Sequence, residues 1–176
     1  MAATDKPAIA RQIKRCARLE GTFTLRSGAV SDTYFDKYRF EADPPLLKRI
    51  GEAMLPLIPN GTTVLAGLEL GGIPLVTMLG QLTGLPTAFV RKAAKTYGTC
   101  RYAEGAELQG EQVLIVEDVV SSGGAILDTL AMLRDDGIRP ASAICVIDRQ
   151  SGGLEALAEA GVRLTALYTM ADIESA

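Results

Sequence analysis

Two adjacent acids, Glu117 and Asp118, stand at the end of an apolar run and shortly before a stretch of small residues. The apolar run at 113–116 consists of branched residues, which is typical of a strand buried on both faces of a parallel sheet. Carboxylates at the end of such a strand cost desolvation free energy unless a polar ligand or a cation meets them. The pair therefore predicts a site for a polar ligand or a cation.

The small residues that follow form the predicted turn between this strand and a helix: Ser121, Ser122, Gly123 and Gly124. At a helix amino end, free backbone N–H groups and the helix dipole favour an anion, and glycines let a phosphate approach the backbone. A glycine turn after a strand is equally compatible with ordinary core packing. No Lys-Ser or Lys-Thr follows the glycines and the GxGxxG spacing is absent, which excludes a Walker loop and a dinucleotide fingerprint.

Four cations fall within eleven residues after a short predicted strand at 87–90: Arg91, Lys92, Lys95 and Arg101. The polar segment that contains them shows no sustained periodicity, so it is predicted as a loop. Such a charge run is compatible with a solvated face or with a phosphate site.

The acids and the turn together resemble the ribose-phosphate signature of the type I phosphoribosyltransferases: four apolar residues, two acids, two apolar residues and a small loop. The resemblance implies that Glu117 and Asp118 hold the ribose 2′- and 3′-hydroxyls of 5-phosphoribosyl 1-diphosphate (PRPP). It also implies that the following segment wraps the 5′-phosphate, with PRPP contacts from Val119, Val120, Ser121, Ser122, Gly123, Gly124 and Ala125.

An amino-terminal segment resembles the hood of the orotate phosphoribosyltransferases, in which Phe-x-Leu-Lys/Arg-Ser-Gly precedes an aromatic pair. Arg26 and the pair Tyr34-Phe35 match these positions. The resemblance implies that Arg26 reaches the diphosphate or the base and that the aromatic rings flank the base. On composition alone, this segment is equally compatible with an edge hairpin.

Arg149 follows a predicted strand at 143–147 and stands four residues before Gly153. This spacing is similar to an Asp-Arg-x-x-x-Gly segment of the orotate enzymes, whose arginine binds the orotate carboxylate. A planar guanidinium suits a planar carboxylate. The resemblance places Arg149 in the orotate site with Ser121 of the phosphate loop, although a solvated strand end is equally compatible with the residues.

The sequence Arg91-Lys92-x-x-Lys95 is similar to the start of the mobile loop that closes over the diphosphate in the orotate enzymes. The resemblance implies PRPP contacts from all three residues and a catalytic role for Lys95, beside Glu117 and Asp118. Many family members have a histidine where this chain has Tyr97, which is expected to donate a hydrogen bond to PRPP instead.

A second glycine-rich turn, Gly71-Gly72, follows the predicted strand at 62–68. The corresponding loop grips the diphosphate in the family, and many orotate enzymes carry a lysine at the position of Gly71. Here, PRPP is expected to meet only backbone donors at Gly71 and Gly72.

The elements that must position these residues follow from periodicity. A helix is predicted from Asp5 with a stop at Gly21, then a hairpin, a helix opening at Asp43 with Pro44, and a tail after Tyr168. From residue 62 the predicted order is strand, helix, strand, loop, strand, helix, strand, helix, strand. This order implies a parallel sheet covered on both faces, with ligands outside the carboxyl ends of its strands.

The predicted fold class is therefore α/β. The resemblance makes it the type I phosphoribosyltransferase fold, a central parallel sheet flanked by helices with a small amino-terminal hood. One domain is expected over residues 1–176, with the first helix and the hood in about 1–40 and the α/β core in about 62–168.

The composition excludes several classes of site and partner. Among 176 residues there is no histidine, and Cys16, Cys100 and Cys145 lie far apart, which argues against a zinc site, a disulfide framework and Ser-His or Cys-His chemistry. A net charge of −3 argues against a nucleic-acid-binding face. No run suits a membrane span or a signal peptide, so no membrane partner and a cytoplasmic location are expected.

The resemblance implies an orotate phosphoribosyltransferase of de novo pyrimidine (UMP) biosynthesis, which forms orotidine 5′-monophosphate and diphosphate from orotate and PRPP. It also implies Mg²⁺ held mainly through PRPP rather than by protein ligands, and a homodimer with shared active sites. Two alternatives stay open: a phosphoribosyltransferase for another base, because Gly71 and Tyr97 depart from the pattern, and a non-catalytic PRPP-sensing regulator.

Overall fold

The computed structural model describes residues 5–24, 28–93 and 101–176. The elements run in the order α1 (Lys6–Ala17), β1 (Arg18–Thr24), β2 (Val30–Phe35), α2 (Tyr38–Glu41), α3 (Pro44–Met54), a 3₁₀ turn (Leu55–Leu57), β3 (Val64–Leu68), α4 (Gly72–Thr83), β4 (Thr87–Val90), β5 (Ala103–Gly105), β6 (Val113–Val120), α5 (Gly124–Asp135), β7 (Ser142–Asp148), α6 (Gly153–Glu159), β8 (Arg163–Thr169) and α7 (Met170–Ser175). Within these ranges, no helix is long and apolar enough to cross a membrane.

The central sheet has the strand order β5-β4-β3-β6-β7-β8. The neighbouring pairs from β4 to β8 are all parallel, as the sequence predicts. Two apolar clusters cover the two faces: one packs α1, α3 and α4 against the sheet, and the other packs α5 and α6 against it. Burial on both faces explains why β6 and β7 read as continuous apolar runs.

The prediction of a loop between β4 and β6 was wrong at one point, because β5 pairs antiparallel with β4 and makes the sheet mixed. The pairing is closed by hydrogen bonds at each end, from the Arg91 N–H to the Tyr102 carbonyl and from the Ala106 N–H to the Thr87 carbonyl. A three-residue edge strand is too short to show a period of two, so only the neighbouring strand reveals it.

The amino-terminal helix ends four residues before the predicted stop. Asp5 caps it by accepting a hydrogen bond from the Ala8 N–H, and α1 then passes directly into β1 after Ala17. Gly21 lies inside β1, where the register with β2 shifts between Glu20 and Phe23. The hairpin itself is confirmed, because β1 and β2 pair antiparallel as a separate two-stranded sheet.

Two short helices were not predicted. The single turn of α2 follows the hairpin, and α7 replaces the predicted tail, with a capping box formed by Thr169 and Asp172. The apolar side chain of Ile173 in α7 is buried in the same core as α1. Helices of one or two turns carry too few residues for a periodic signal, and tertiary packing decides them.

The strand order reverses between β3 and β6. The chain leaves β3 through α4 to reach β4 on one side, whereas it leaves β6 through α5 to reach β7 on the other side. A crevice opens outside the carboxyl ends of strands at such a switch point. Both glycine-rich turns, 71–72 after β3 and 121–124 after β6, therefore meet at one crevice.

The two turns lie close together because glycines leave room for their backbones. A Cβ added to Gly72 would lie 2.5 Å from the Val116 carbonyl oxygen, and one added to Gly67 would lie 2.5 Å from the Gly72 carbonyl oxygen. Any larger residue at these positions would push α4 away from β3 and β6. The glycines thus fix the distance between the two sides of the crevice.

Candidate active site

The crevice holds a cavity of about 580 Å³, which is lined by residues 68–70 at the end of β3, by the turn after β6 and by residues 90–92 at the end of β4. Arg91 and Lys92 contribute positive charge and Glu117 contributes an acid, while the floor comes from residues 119–125. The structure therefore brings the predicted phosphate loop, one predicted acid and two predicted loop cations into a single site.

The phosphate loop presents unpaired backbone donors. Gly123 adopts the left-handed conformation with φ 80° and precedes the first residue of α5, whose amino end has no side-chain cap. The first residue of α6, Gly153, packs closely against the loop, since a Cβ added to Gly153 would clash with the Ser121 carbonyl oxygen. A rigid turn with free N–H groups at a helix amino end is suited to a phosphate.

Asp118 is completely buried and carries an ion pair from outside the central sheet. Lys37, between β2 and α2, places Nζ 2.7 Å from Asp118 Oδ2 and 3.0 Å from Oδ1. The Val119 N–H also donates to Oδ1. Burial alone would raise the pKa of Asp118, but hydrogen bonds from Glu41 and Lys37 outweigh it and lower that pKa, so the carboxylate stays charged.

Two further carboxyls surround Asp118. Burial, assisted by the hydrogen bond and charge of Asp118, raises the pKa of Glu41 to about 9, so Glu41 carries a proton at neutral pH. Burial and the charge of Asp118 also raise the pKa of Glu117 well above its ordinary value. Glu41 Oε1 and Glu117 Oε2 are buried without a hydrogen-bond partner in the structure. Such buried oxygens favour a ligand that supplies hydrogen-bond donors or a cation.

Gly71 packs directly against the same carboxylate. A Cβ at this position would lie 1.7 Å from Asp118 Oδ2, so no side chain, lysine included, fits there without moving Asp118. The glycine that departs from the family pattern is thus explained by the geometry around Asp118. Gly71 and Gly72 still offer the amino end of α4, which has no side-chain cap.

The cations after β4 are oriented by backbone contacts. The Lys92 N–H donates to Glu69 Oε1 over 2.7 Å, and the Arg91 N–H donates to the Tyr102 carbonyl over 2.7 Å. Arg91 Nε is buried without a hydrogen-bond partner in the structure, which leaves a donor for an anion. The predicted residues Arg26, Lys95 and Tyr97 lie outside the described residues, as does Cys100.

The predicted orotate residues line a different cavity of about 860 Å³. Tyr34, Phe35 and Arg149 share this cavity with Phe23, whose ring centroid is 5.5 Å from that of Tyr34. Ser121 lines the smaller cavity instead. The structure therefore brings three of the predicted orotate residues together and leaves Ser121 with the phosphate loop.

Arg149 connects the two cavities through the backbone. Its N–H donates to the Val120 carbonyl over 2.8 Å, immediately before the phosphate loop. Gln150 follows in the left-handed conformation with φ 56°, where its N–H is held at 2.8 Å by Asp148 Oδ1. A non-glycine residue in this conformation is uncommon and is often found at functional sites.

Comparison with known proteins decides the family. The family model described as "Phosphoribosyl transferase domain" matches residues 39–162. An orotate phosphoribosyltransferase of Nocardioides sp. is 46% identical over 168 residues, which cover 96% of this chain and 94% of that protein. A second orotate phosphoribosyltransferase, from Halobacterium salinarum, is 41% identical over 98% of both chains. The chain belongs to the orotate phosphoribosyltransferase family.

Solved structures of the orotate phosphoribosyltransferase family show the same fold. The Mycobacterium tuberculosis H37Rv enzyme in complex with Fe(III) dicitrate is 31% identical, with a TM-score of 0.87 over 96% of this chain and 98% of that one. The same enzyme in complex with PRPP has a TM-score of 0.83 at 28% identity, over 97% of this chain and 99% of that one. The type I phosphoribosyltransferase fold with its mixed sheet is thus confirmed.

The sequence did not identify Lys37 and Glu41 as residues of the site. Both occur in the segment Asp36 to Glu41, in which charged and aromatic residues alternate without a recognisable motif. Nothing in this local pattern predicts a contact with the acids after β6. Only the docking of the hood against β6 shows that both side chains reach Asp118.

The donor set around Asp118 fits a magnesium ion that a ligand carries, rather than one held by protein alone. Within the described ranges, no group of three or more His, Cys, Asp or Glu residues has metal-binding geometry. Mg²⁺ prefers hard oxygen ligands and commonly binds through one or two carboxylates together with phosphate oxygens. The unpartnered Oε2 of Glu117 is such an oxygen.

The raised pKa of Glu41 predicts that its protonation stabilises the fold. Folded Glu41 keeps a proton that the unfolded chain releases above its ordinary pKa of 4.5. This stabilisation is complete below about pH 4.5 and is lost as the pH rises towards 9. Replacing the acid by an uncharged amide of similar shape should remove this dependence. Relative to Glu41→Gln, the wild type should therefore lose up to about 1.4 kcal/mol of unfolding free energy per pH unit.

Urea unfolding of both proteins between pH 5 and 9 measures this difference. Glu52→Gln on α3 is the matched control, because the Glu52 side chain is 39% exposed and pairs with Lys48 on the same helix. Parallel stability curves for the wild type and Glu41→Gln would show that Glu41 ionises normally.

Proposed function

We propose that the chain catalyses transfer of the 5-phosphoribosyl group from PRPP to orotate, which forms orotidine 5′-monophosphate and diphosphate in de novo UMP biosynthesis. The supporting observation is the pairing of two buried acids with an uncapped helix amino end at the switch point of the sheet. This arrangement offers hydroxyl acceptors beside a phosphate cradle. The relatives named orotate phosphoribosyltransferase support orotate as the acceptor.

The 5′-phosphate is proposed to bind the loop from Val119 to Ala125. Its oxygens would accept hydrogen bonds from the N–H groups at the amino end of α5 and from the exposed hydroxyls of Ser121 and Ser122. The ribose hydroxyls would then meet Glu117 and Asp118. Because Asp118 is charged and held by several donors, it is oriented before the ribose arrives.

The diphosphate is proposed to lie between the amino end of α4, at Gly71 and Gly72, and the cations after β4. Arg91 offers its unpaired Nε, and Lys92 lines the same cavity. Negative charge develops on the departing diphosphate, and cations fixed in advance stabilise that charge without reorganisation. The family resemblance adds contacts from Arg26, Lys95 and Tyr97.

The chain's own residues would act by position and charge rather than by a covalent nucleophile. Glu117 and Asp118 orient the ribose, Asp118 faces its reacting centre with negative charge, and Lys95 is proposed to meet the leaving group. Mg²⁺ bound to PRPP oxygens would supply further neutralisation of the diphosphate charge. Glu117 Oε2, which has no hydrogen-bond partner in the structure, would meet that ion once Glu117 has released its proton.

Orotate is proposed to bind under the hood, with its carboxylate on Arg149 and its ring near Tyr34 and Phe35. These residues share one cavity, and the backbone of Arg149 is tied to Val120 beside the phosphate loop. Arg26 and Ser121 complete the proposed orotate set. Ser121 would contact orotate from the neighbouring cavity.

We also propose a cytoplasmic homodimer of single-domain chains, with no membrane or nucleic-acid partner. Leu70 is 62% exposed and Tyr38 is 45% exposed, although both are large apolar residues at the rim of the active-site cavity. A second copy that covers this rim would bury them and bring its own loop to the site. Cys16 and Cys145 are free thiols, as in a reducing compartment.

The first test measures the consumption of orotate by its ultraviolet absorbance, with purified protein, Mg²⁺ and PRPP. Orotate should be consumed with release of diphosphate, whereas uracil and the purine bases should not react. Asp118→Asn should lower kcat/KM by at least about 100-fold, since it removes the charge that receives the ribose hydroxyls. Binding of PRPP without turnover of any base would favour a regulator instead.

A phosphoribosyltransferase for another base is the second candidate, because Arg149 and Ser121 line different cavities. Arg149→Ala distinguishes the two. If orotate is the substrate, loss of the carboxylate partner should raise the KM for orotate by about 10- to 100-fold and leave the KM for PRPP nearly unchanged. Arg18→Ala in the same cavity is the control for loss of a nearby positive charge. Equal behaviour of the two variants would favour the other base.

A mixing experiment tests the shared site. Lys95→Ala and Asp118→Asn are each expected to be inactive, but a mixed dimer would hold one site with both residues intact. Random exchange should therefore restore up to about a quarter of the wild-type activity. An affinity tag on one variant controls for exchange, because the untagged variant should co-purify with it only after mixed dimers have formed. Exchanged dimers without restored activity would show that each chain completes its own site.

A further inference from the structure

Lys37 joins the hood to the core at the centre of the crevice. It lies between β2 and α2, and its ammonium forms the ion pair with Asp118 at the end of β6. The Lys37 side chain is 30% exposed, whereas that of Asp118 is 0% exposed. Lys37 also lines the 580 Å³ cavity together with the phosphate loop and Arg91. The ammonium is therefore within reach of a ligand in that cavity.

Asp118 does not depend on Lys37 alone for hydrogen bonds. The Val119 N–H donates to Oδ1, and the protonated Glu41 carboxyl also donates to Asp118. Ribose hydroxyls could take the remaining acceptor positions. If Lys37 left, the buried carboxylate would thus keep two protein donors and gain ligand donors, which avoids an unsatisfied buried charge.

The position of Lys37 relative to the two helix amino ends indicates which part of PRPP it would meet. Asp118 Oδ2 contacts Lys37 Nζ and also lies against Gly71, at the amino end of the twelve-residue helix α4. The 5′-phosphate loop is at the amino end of the other helix, α5. Lys37 therefore stands on the α4 side of the acids, where the helix dipole also favours an anion.

We propose that Lys37 is a further substrate-binding residue, which neutralises Asp118 in the free protein and moves to the diphosphate of PRPP when the ribose hydroxyls reach Asp118. This proposal rests on the proposed function, because PRPP is the ligand. It gives one lysine two anionic partners in turn. No side chain fits at position 71, so Lys37 provides the cation at this end of the site from the hood.

The test compares PRPP with ribose 5-phosphate, which has the same phosphate and hydroxyls but no diphosphate. Lys37→Met removes the charge and keeps most of the side-chain volume. It should weaken Mg²⁺-PRPP binding about 10- to 100-fold, the range for loss of a charge-assisted hydrogen bond. Binding of ribose 5-phosphate should change by less than about threefold, since Asp118 keeps its other donors. Calorimetry on the purified protein measures both affinities.

Kinetics add a readout that a merely structural role would not move. Lys37→Met should raise the KM for PRPP and leave the KM for orotate unchanged, and Lys37→Arg should restore most of the PRPP affinity. Lys48→Met is the matched control, because Lys48 is exposed on α3 and lies 4.0 Å from Glu52 Oε1. It should change neither affinity.

Three results of the binding experiments would overturn the proposal. An equal loss of affinity for PRPP and ribose 5-phosphate would show that Lys37 acts only by holding Asp118. Unchanged affinity for both, with a lower melting temperature, would show a structural role alone. A wild type that binds no PRPP would overturn the proposed function together with this inference, whereas the first two results leave the proposed function intact.

A crystal structure of the wild type with Mg²⁺-PRPP tests the exchange even if Lys37→Met does not fold. Lys37 Nζ should lie within about 3.5 Å of a diphosphate oxygen. A lysine that stays on Asp118 in that complex would contradict the proposal.

Discussion

The charge of one buried carboxylate, Asp118, constrains the whole active site. Burying a carboxylate away from solvent costs several kcal/mol unless charges and hydrogen bonds compensate for it. The neighbours of Asp118 must therefore include a positive charge and hydrogen-bond donors at fixed positions. Lys37 provides the countercharge, the Val119 N–H provides a fixed donor and Glu41 provides a shared proton. Lys37 and Glu41 come from the segment after β2, whereas Val119 lies beside Asp118 in β6.

This constraint extends to the backbone of the neighbouring turn. Gly71 must lack a side chain because the Asp118 carboxylate occupies the space that a Cβ would need. Gly72 and Gly67 must lack one because β3, α4 and β6 approach closely beside it. The two uncapped helix amino ends are held at a fixed separation as a result, with the acids between them. The fold thus prepares the site for a ligand with anionic groups at both ends and hydroxyls in the middle.

The hood is tied to the core by the same ion pair. The hairpin of β1 and β2 forms its own small sheet, and Lys37 immediately after it reaches across to the end of β6. An ion pair with one fully buried partner is costly to break in the free protein but can be exchanged for a ligand that supplies its own donors and charges. The ion pair therefore ties the position of the hood to Asp118.

The sequence by itself determined the parts of this protein whose signal is local. The apolar runs of β6 and β7 indicate strands buried on both faces, and Asp43 and Pro44 mark the start of α3. The acids and the small loop after β6 carry the family resemblance without any structure, because their spacing along the chain is itself the motif.

Only the tertiary structure decided what depends on contacts between distant segments. It paired β5 with β4, packed α7 beside α1, ended α1 before Gly21 and placed Arg149 and Ser121 in different cavities. It also brought Lys37 and Glu41 to Asp118 across some 80 positions of sequence. No local pattern can encode such pairs, because the free energy that fixes them is the cost of burying a charge, which arises only when the chain has folded.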